Sequence, residues 1–431
     1  MLAALLALLV AQTPPPSSAP LPSSVLKLAR PMLGAPDAVP AGLGHNKANC
    51  CKNGGGGGGP NGVPGITTVK NWVDAFTVPG FDPNGNPQSV WPYSMVGRPP
   101  EQGGTTNIHA PIVPVIVDLL DASGNVATFG GVPATFDPRG LVNPVLQSPV
   151  FQPFPYYSGF TQLQDGLFRS EFANRLPSDD HGQDCEDGWH TLVDPDVKRT
   201  EHMQIPYGYW YAIANPDGTC CAAALVDYNT FGNLLFPSTS PPDNSTVIGA
   251  AENSGAMTTK DITTFLFNNV YLYIGTLSQC CVLGYHSFDV ELDKSGNPTL
   301  WYVMIYASWI SNGLFLGGFE DITALSHEMN ETFNDPFVGA AGSITPWVLS
   351  PSGDCQDLLE VGDPIEGLAS NAVFSAQMNG RTYHPQNLVT FPWFAFESPS
   401  PALVGAYSFP DETTLTTLSP PNLTVNCVPA P

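Results

Sequence analysis

The chain of 431 residues carries 38 Asp and Glu against 14 Lys and Arg, a formal net charge of −24. That balance argues against binding to nucleic acid or to an anionic membrane, because both need clustered cations. Apolar residues at 42% and aromatics at 10% argue against wholesale disorder and suffice for a buried core, in one large domain or two ordinary ones.

The first residues, Met1 to Ala11, read MLAALLALLVA. An apolar run of this length is too short to span a bilayer but suits the hydrophobic stretch of a signal peptide, although a basic flank is missing. Residues 1–12 are therefore expected to direct export, which makes the protein secreted and extracellular, or associated with a cell surface. No later segment is apolar enough for a membrane span. Residues 13–65 are rich in Pro, Ala and Gly and end in the run Gly54 to Gly59, so a flexible leader is expected. The glycine run lacks the Lys-Ser/Thr and the preceding strand of a phosphate-binding loop. A single domain is expected over residues 66–431.

Within it, residues 111–120 (PIVPVIVDLL) predict a buried strand closed by the turn Asp121 to Asn125. Residues 161–174 predict a helix with Leu163, Leu167, Phe168 and Phe172 on one side. A strand is expected at 205–213, a helix at 259–268, and strands at 269–275, 281–291 and 299–308. The turn Asp293 to Asn297 joins the last two as a hairpin. It lacks the closing glutamate of an EF-hand, so a plain turn is expected rather than a calcium loop.

Nine cysteines agree with export: the doublets Cys50-Cys51, Cys220-Cys221 and Cys280-Cys281, with Cys185, Cys355 and Cys427 single. Neighbouring cysteines seldom pair with each other, so each is expected to reach a different partner. No CxxC occurs, which disfavours a zinc knuckle or a thioredoxin-type site.

The segment richest in chemistry is 318–336, GFEDITALSHEMNETFNDP. Asp321 can cap a helix that Pro336 ends. Ile322, Leu325, Met329 and Phe333 form an apolar stripe, while His327, Glu331 and Asp335 form an i, i+4, i+8 ladder on another face with Glu328 at its edge. Two ligands four residues apart on a helix converge on one ion, as in the HExxH zinc motif. Here the motif reads HExxE: His327 and Glu331 are the expected ligands, and Glu328 holds the position of a general base. Zinc is the first expectation, but a carboxylate in place of the second histidine hardens the site, so calcium or manganese also fit. The competing reading is a solvated acidic helix. Against it, three adjacent carboxylates repel without a cation.

Further ligands are expected from later in the chain, with Glu360 and Asp363 as the leading candidates and His286 and His384 behind them. His181, His190 and His202, near Asp179, Asp180 and Asp184, read as a hydrated loop rather than a second site. No GxSxG occurs, and Cys281 near His286 lacks the context of a thiol nucleophile.

Six segments taken together are similar to secreted bacterial HExxE metallopeptidase-like proteins and, more distantly, to plant phosphate-induced, Exordium-like cell-wall proteins. They are PIVPVIVDL (111–119), QLQDGLFRSEFAN (162–174), CCVLGYHSF (280–288), SHEMNETFNDPF (326–337), EVGDP (360–364) and YHPQNLVTFPWF (383–394). The resemblance implies a zincin-like core with His327 and Glu331 as ligands, Glu328 as base and Glu360 with Asp363 completing the site.

The expected fold class is α+β: a zincin-like core with a mixed sheet packed on the metal-site helix and loop-rich insertions. The expected function is a secreted metal-dependent hydrolase, a peptidase acting on peptide or protein substrates. Glu328 would take a proton from water, and His384 or Tyr383 would stabilise the oxyanion. The alternative is a non-catalytic extracellular or cell-wall-associated protein with a structural metal. A glycosidase using carboxylates alone is disfavoured, because Glu328 and Glu331 sit too close on one helix to straddle a sugar.

Overall fold

Runs of β-branched and aromatic residues pair into one large mixed sheet. The structure, a computed structural model, describes residues 19–28, 32–33, 66–79, 88–176, 188–340, 347–349, 354–368 and 371–418. Eight strands form the spine: β1 Gly104–Leu119, β2 Trp189–Val197, β3 Trp210–Ala214, β4 Cys220–Asp227, β5 Ile262–Asn268, β6 Val270–Tyr273, β7 Cys280–Leu292 and β8 Pro298–Trp309. Their order across the sheet is β2-β1-β5-β8-β7-β6-β4-β3. The first four are parallel neighbours, β7 is antiparallel to both β8 and β6, β6 and β4 are parallel, and β3 closes the row antiparallel to β4. The class is mixed α+β, as expected.

Helices cover both faces. The helices α1 Leu163–Glu171 and α4 Thr323–Asn334 share one apolar cluster, through Leu167, Phe168, Leu325, Met329 and Phe333. The helices α2 Tyr228–Leu235 and α3 Val247–Ser254 lie in the other, through Phe231, Leu235 and Ile248. Strand β7 shows the division directly. Phe288 and Val290 belong to the α4 side and Tyr285 to the opposite side, the period-2 alternation of a strand covered twice. Each such aromatic or aliphatic side chain contributes about 1.5–3 kcal/mol of burial. Helix α4 packs on β7 and β8, and this contact positions the site.

Several expectations need correction. Residues 262–268 form strand β5, not a helix. Ile262 and Leu266 face one cluster and Phe265 and Phe267 the other, so burial on both sides removes the polar face that separates the two periodicities. The expected strand at 205–213 is split into Glu201–Ile205 and β3 by a turn with Gly208 at φ 92. Pro206 heads that turn and has no N–H to offer a ladder. Part of the expected leader is not a free tether. Leu21 exchanges backbone hydrogen bonds with Ala212 and Ala214, Leu26 is fully buried, and Met32–Leu33 pairs parallel with β7. Leu26, within the run SSVLKL, supplies buried apolar surface that the Pro/Gly composition around it lacks.

The doublets also differ. Cys220 is bonded to Cys221 and Cys280 to Cys281, across cis peptide bonds that bring the paired Cα atoms to 3.1 and 3.0 Å. The expected signal segment, the glycine run and Cys50, Cys51, Cys185 and Cys427 lie outside the described residues. The turn at 293–297 is a plain Asx turn, with Asp293 Oδ1 accepting from the N–H groups of Ser295 and Asn297. Among the described residues no helix is long and apolar enough to cross a membrane.

Candidate metal centre

Helix α4 is buried along its whole length, which the amphipathic reading of its sequence did not anticipate. Its small polar residues satisfy themselves against the preceding turn: Asn330 Nδ2 donates to Ser326 O at 2.6 Å, Thr332 Oγ1 to Glu328 O at 2.6 Å, and Asn334 Nδ2 to Asn330 O at 3.0 Å. They can therefore pack without leaving orphaned donors. Asp321 does not cap the helix. It sits at φ 41, and its Oδ1 accepts from the backbone N–H groups of Ile322 and His384. At the other end the helix closes one residue earlier than Pro336 alone implies, at Asn334 with Asp335 as its C-cap.

The side chains of His327 and Glu331, one turn apart, point at the segment 360–366. His327 Nε2 lies 2.8 Å from Glu331 Oε2 and 3.5 Å from Asp363 Oδ1. The 2.8 Å contact lacks hydrogen-bond geometry, and all three atoms are shielded from solvent without a hydrogen-bond partner. Glu360 Oε2 and Glu366 Oε1 are buried and unpartnered in the same way. Helix α5, Asp363–Leu368, carries Asp363 and Glu366 in its first turn. These groups could hold a metal ion, since a cation between them would satisfy the orphaned atoms together.

The surrounding hydrogen bonds set the ligand state of His327. Its Nδ1 lies 2.7 Å from Gln386 Oε1, and Gln386 Nε2 donates to Gly362 O at 2.8 Å. The amide oxygen can only accept, so the imidazole proton sits on Nδ1 and the lone pair of Nε2 faces the carboxylates. This is the orientation expected of a metal-binding histidine. The Gly362 N–H donates to Glu331 Oε1 at 2.9 Å and turns Oε2 inward.

Two glycines make room. A Cβ at Gly362 would stand 2.3 Å from His327 Nδ1, and one at Gly284 on β7 would stand 2.8 Å from Glu328 Oε1. The helix and the 360–366 segment approach that closely only because neither position bears a side chain.

Burial dominates the electrostatics. It pushes the carboxyls of Glu331, Glu360 and Glu366 well above the usual range, with neighbouring carboxylates adding to the effect, and it raises Asp363 and Asp335 to about 6. Burial alone lowers an imidazole pKa, yet Glu360 and Glu328 outweigh it at His286 and carry that group to about 9. Glu328, Glu366 and Asp363 raise His327 in the same way. So dense a set of buried acids calls for positive charge, supplied by protons or by a metal.

The structure brings together four expected ligands (His327, Glu331, Glu360 and Asp363) with Glu328. His286 joins them from β7, its Nδ1 3.4 Å from Glu328 Oε2. His384 does not join them. Its Nδ1 is 2.8 Å from Asp321 Oδ2, and it lines a cleft of about 570 Å³ with Trp309, Glu320 and Arg381. Tyr383 is buried with its hydroxyl donating to Pro144 O, so the expected oxyanion role fits neither residue. Pro385 separates His384 from Gln386, and only Gln386 turns inward. His190 pairs with Asp165 at 2.7 Å, while His181 lies outside the described residues. Sequence reasoning missed Gln386, Glu366 and the two crowded glycines. The sole signal was proximity, since Gln386 lies in the YHPQN run and Gly362 in EVGDP. Comparison with protein-family models, curated proteins and solved structures finds no match to this chain.

Proposed function

We propose that the protein is a secreted metal-dependent hydrolase, a peptidase with a zincin-like arrangement of helix and sheet. One observation carries the reading: His327 Nε2, Glu331 Oε2 and Asp363 Oδ1 converge, buried and without hydrogen bonds, one residue away from Glu328. A divalent metal held there supplies Lewis acidity toward water and a substrate carbonyl. Zinc suits the mixed nitrogen and oxygen donors, and manganese or calcium suits the carboxylates. Glu328 accepts the proton of the attacking water and returns it to the leaving amine. The close backbone at Gly284 limits the movement of its carboxylate. Export rests on the N-terminal apolar run and on the nine cysteines of the sequence.

A second reading is a non-catalytic extracellular or cell-wall-associated protein with a structural metal. The full burial of His327, Glu328 and Glu331 favours it, because a catalytic centre keeps a position open to substrate. The substitution Glu328→Gln separates the two. The hydrolase reading expects metal content to persist while cleavage of unfolded protein substrates falls by at least about 100-fold. Cleavage that survives both chelator and Glu328→Gln rejects the scheme. No cleavage by the metal-loaded wild type, with a lower Tm for His327→Ala, supports the structural reading.

A further inference from the structure

One histidine of the cluster is left over from the first triad. His286 is 2% exposed, and its Nε2 lies 3.0 Å from Asp335 O, a group that can only accept. The ring proton of the neutral imidazole therefore sits on Nε2, and the lone pair of Nδ1 faces the interior of the cluster. There Nδ1 meets three carboxylate oxygens: Glu328 Oε2 at 3.4 Å, Glu331 Oε2 at 3.7 Å and Glu360 Oε2 at 3.9 Å. These spacings exceed the ordinary length of a charge-assisted hydrogen bond. They are near the ~3.4 Å that separates donors around a tetrahedral ion with bonds of about 2.1 Å.

Two of those oxygens, on Glu331 and Glu360, are shielded from solvent and receive no N–H or O–H donor, the two carboxyl groups lying within hydrogen-bond reach of each other. His286, Glu328 and Glu331 present mutually close donor atoms, as do His327, Glu331 and Asp363, and the two sets share only Glu331. Charge points the same way. One divalent ion offsets two of the five carboxylates Glu328, Glu331, Glu360, Asp363 and Glu366, and leaves the rest to repel in a buried space.

We propose that Glu331 bridges two cation centres, the second built by His286, Glu328 and Glu331 and taking a divalent ion that accepts nitrogen and oxygen donors, such as Zn²⁺ or Mn²⁺. Carboxylate-bridged pairs of this kind hold their ions about 3.5–4 Å apart. The inference rests on the first triad being a metal site. It adds a regulatory consequence: filling the second centre draws Glu328 from proton acceptor to ligand, so excess metal suppresses hydrolysis.

The test is stoichiometry, read without any activity assay. The full chain is stripped with chelator, dialysed against buffered Zn²⁺ over a wide concentration range, and analysed for bound metal. The expected result is two ions per chain, bound in two steps, with His286→Ala and the gentler His286→Asn each saturating at one. Mn²⁺-loaded wild type provides a check free of any variant, because a shared carboxylate produces an exchange-coupled EPR signal that separate ions lack. Saturation at one ion, with the loss of His286 making no difference, overturns the second centre and leaves the first intact; His286 then serves as a protonated counter-ion. Binding of no ion overturns both centres. Two ions with an uncoupled EPR signal overturn the bridge.

Discussion

Gly362→Ala tests the geometry of the first centre with the smallest possible change. The added Cβ would lie 2.3 Å from His327 Nδ1, 2.5 Å from Cε1 and 2.9 Å from Cγ, where ordinary contact begins near 3.4 Å. The ring or the 360–366 segment must give way by roughly an ångström, and neither can do so freely. His327 is fully buried and bonded to Gln386 at 2.7 Å, while the Gly362 backbone is bonded to Glu331 and Gln386. Overpacking of this kind costs about 1–3 kcal/mol. Loss of the His327–Gln386 hydrogen bond adds about 1 kcal/mol. A metal centre whose supporting hydrogen bonds are disturbed loses about 10–100-fold in affinity. The assay is competition for Zn²⁺ between the protein and a chelating dye, with near-UV circular dichroism to establish that the variant remains folded. A folded Gly362→Ala variant that binds Zn²⁺ as tightly as wild type would falsify the placement of His327 against this loop.

Two further outcomes follow from features away from the centre. Glu252 on α3 faces Asp289 and Glu291 on β7; burial, reinforced by those acids, raises its pKa to about 9, while burial raises Asp289 to about 6. The folded state thus holds a proton that the unfolded chain releases at the ordinary carboxyl pKa, so stability declines as pH rises from about 4.5 toward 9. Glu252→Gln is expected to stabilise the protein by about 1–3 kcal/mol at pH 8, with the gain vanishing near pH 4; a gain of equal size at both pH values in urea titrations contradicts the assignment. Leu26→Ala removes a side chain with no exposure from the docked N-terminal segment and is expected to cost about 2–4 kcal/mol. An unchanged urea midpoint would mean that the segment does not dock.

Legibility in the sequence followed the reach of the interactions. The α4 helix, the strand at 111–119 and the hairpin around Asp293 depend on residues within a few positions of one another, so their periodicity and turn chemistry were readable. The strand β5 was not, because Ile262 to Asn268 is apolar toward both layers and carries neither a period of 2 nor one of 3.6. At the site, the i, i+4 spacing of His327 and Glu331 is a local property, while Glu360 and Asp363 stand out only as acids that follow a loop able to fold back over the helix. The inward turn of Gln386 and the outward turn of His384, two residues apart, come from long-range bonds to His327 and Asp321. No local pattern encodes that choice. The burial of Glu328 and Glu331 was likewise hidden, since a strip of acids reads as solvated until the partner that covers it is known.

The pairing of Leu21 beside Ile213 and of Met32 beside Val282 imposes an order on assembly. A segment that emerges early from the ribosome finds its partners only after some 250 more residues have been made. Until then Leu26 and its neighbours stay exposed to proteases and to holding factors. Closure of this seam is therefore a late event in the life of the nascent chain.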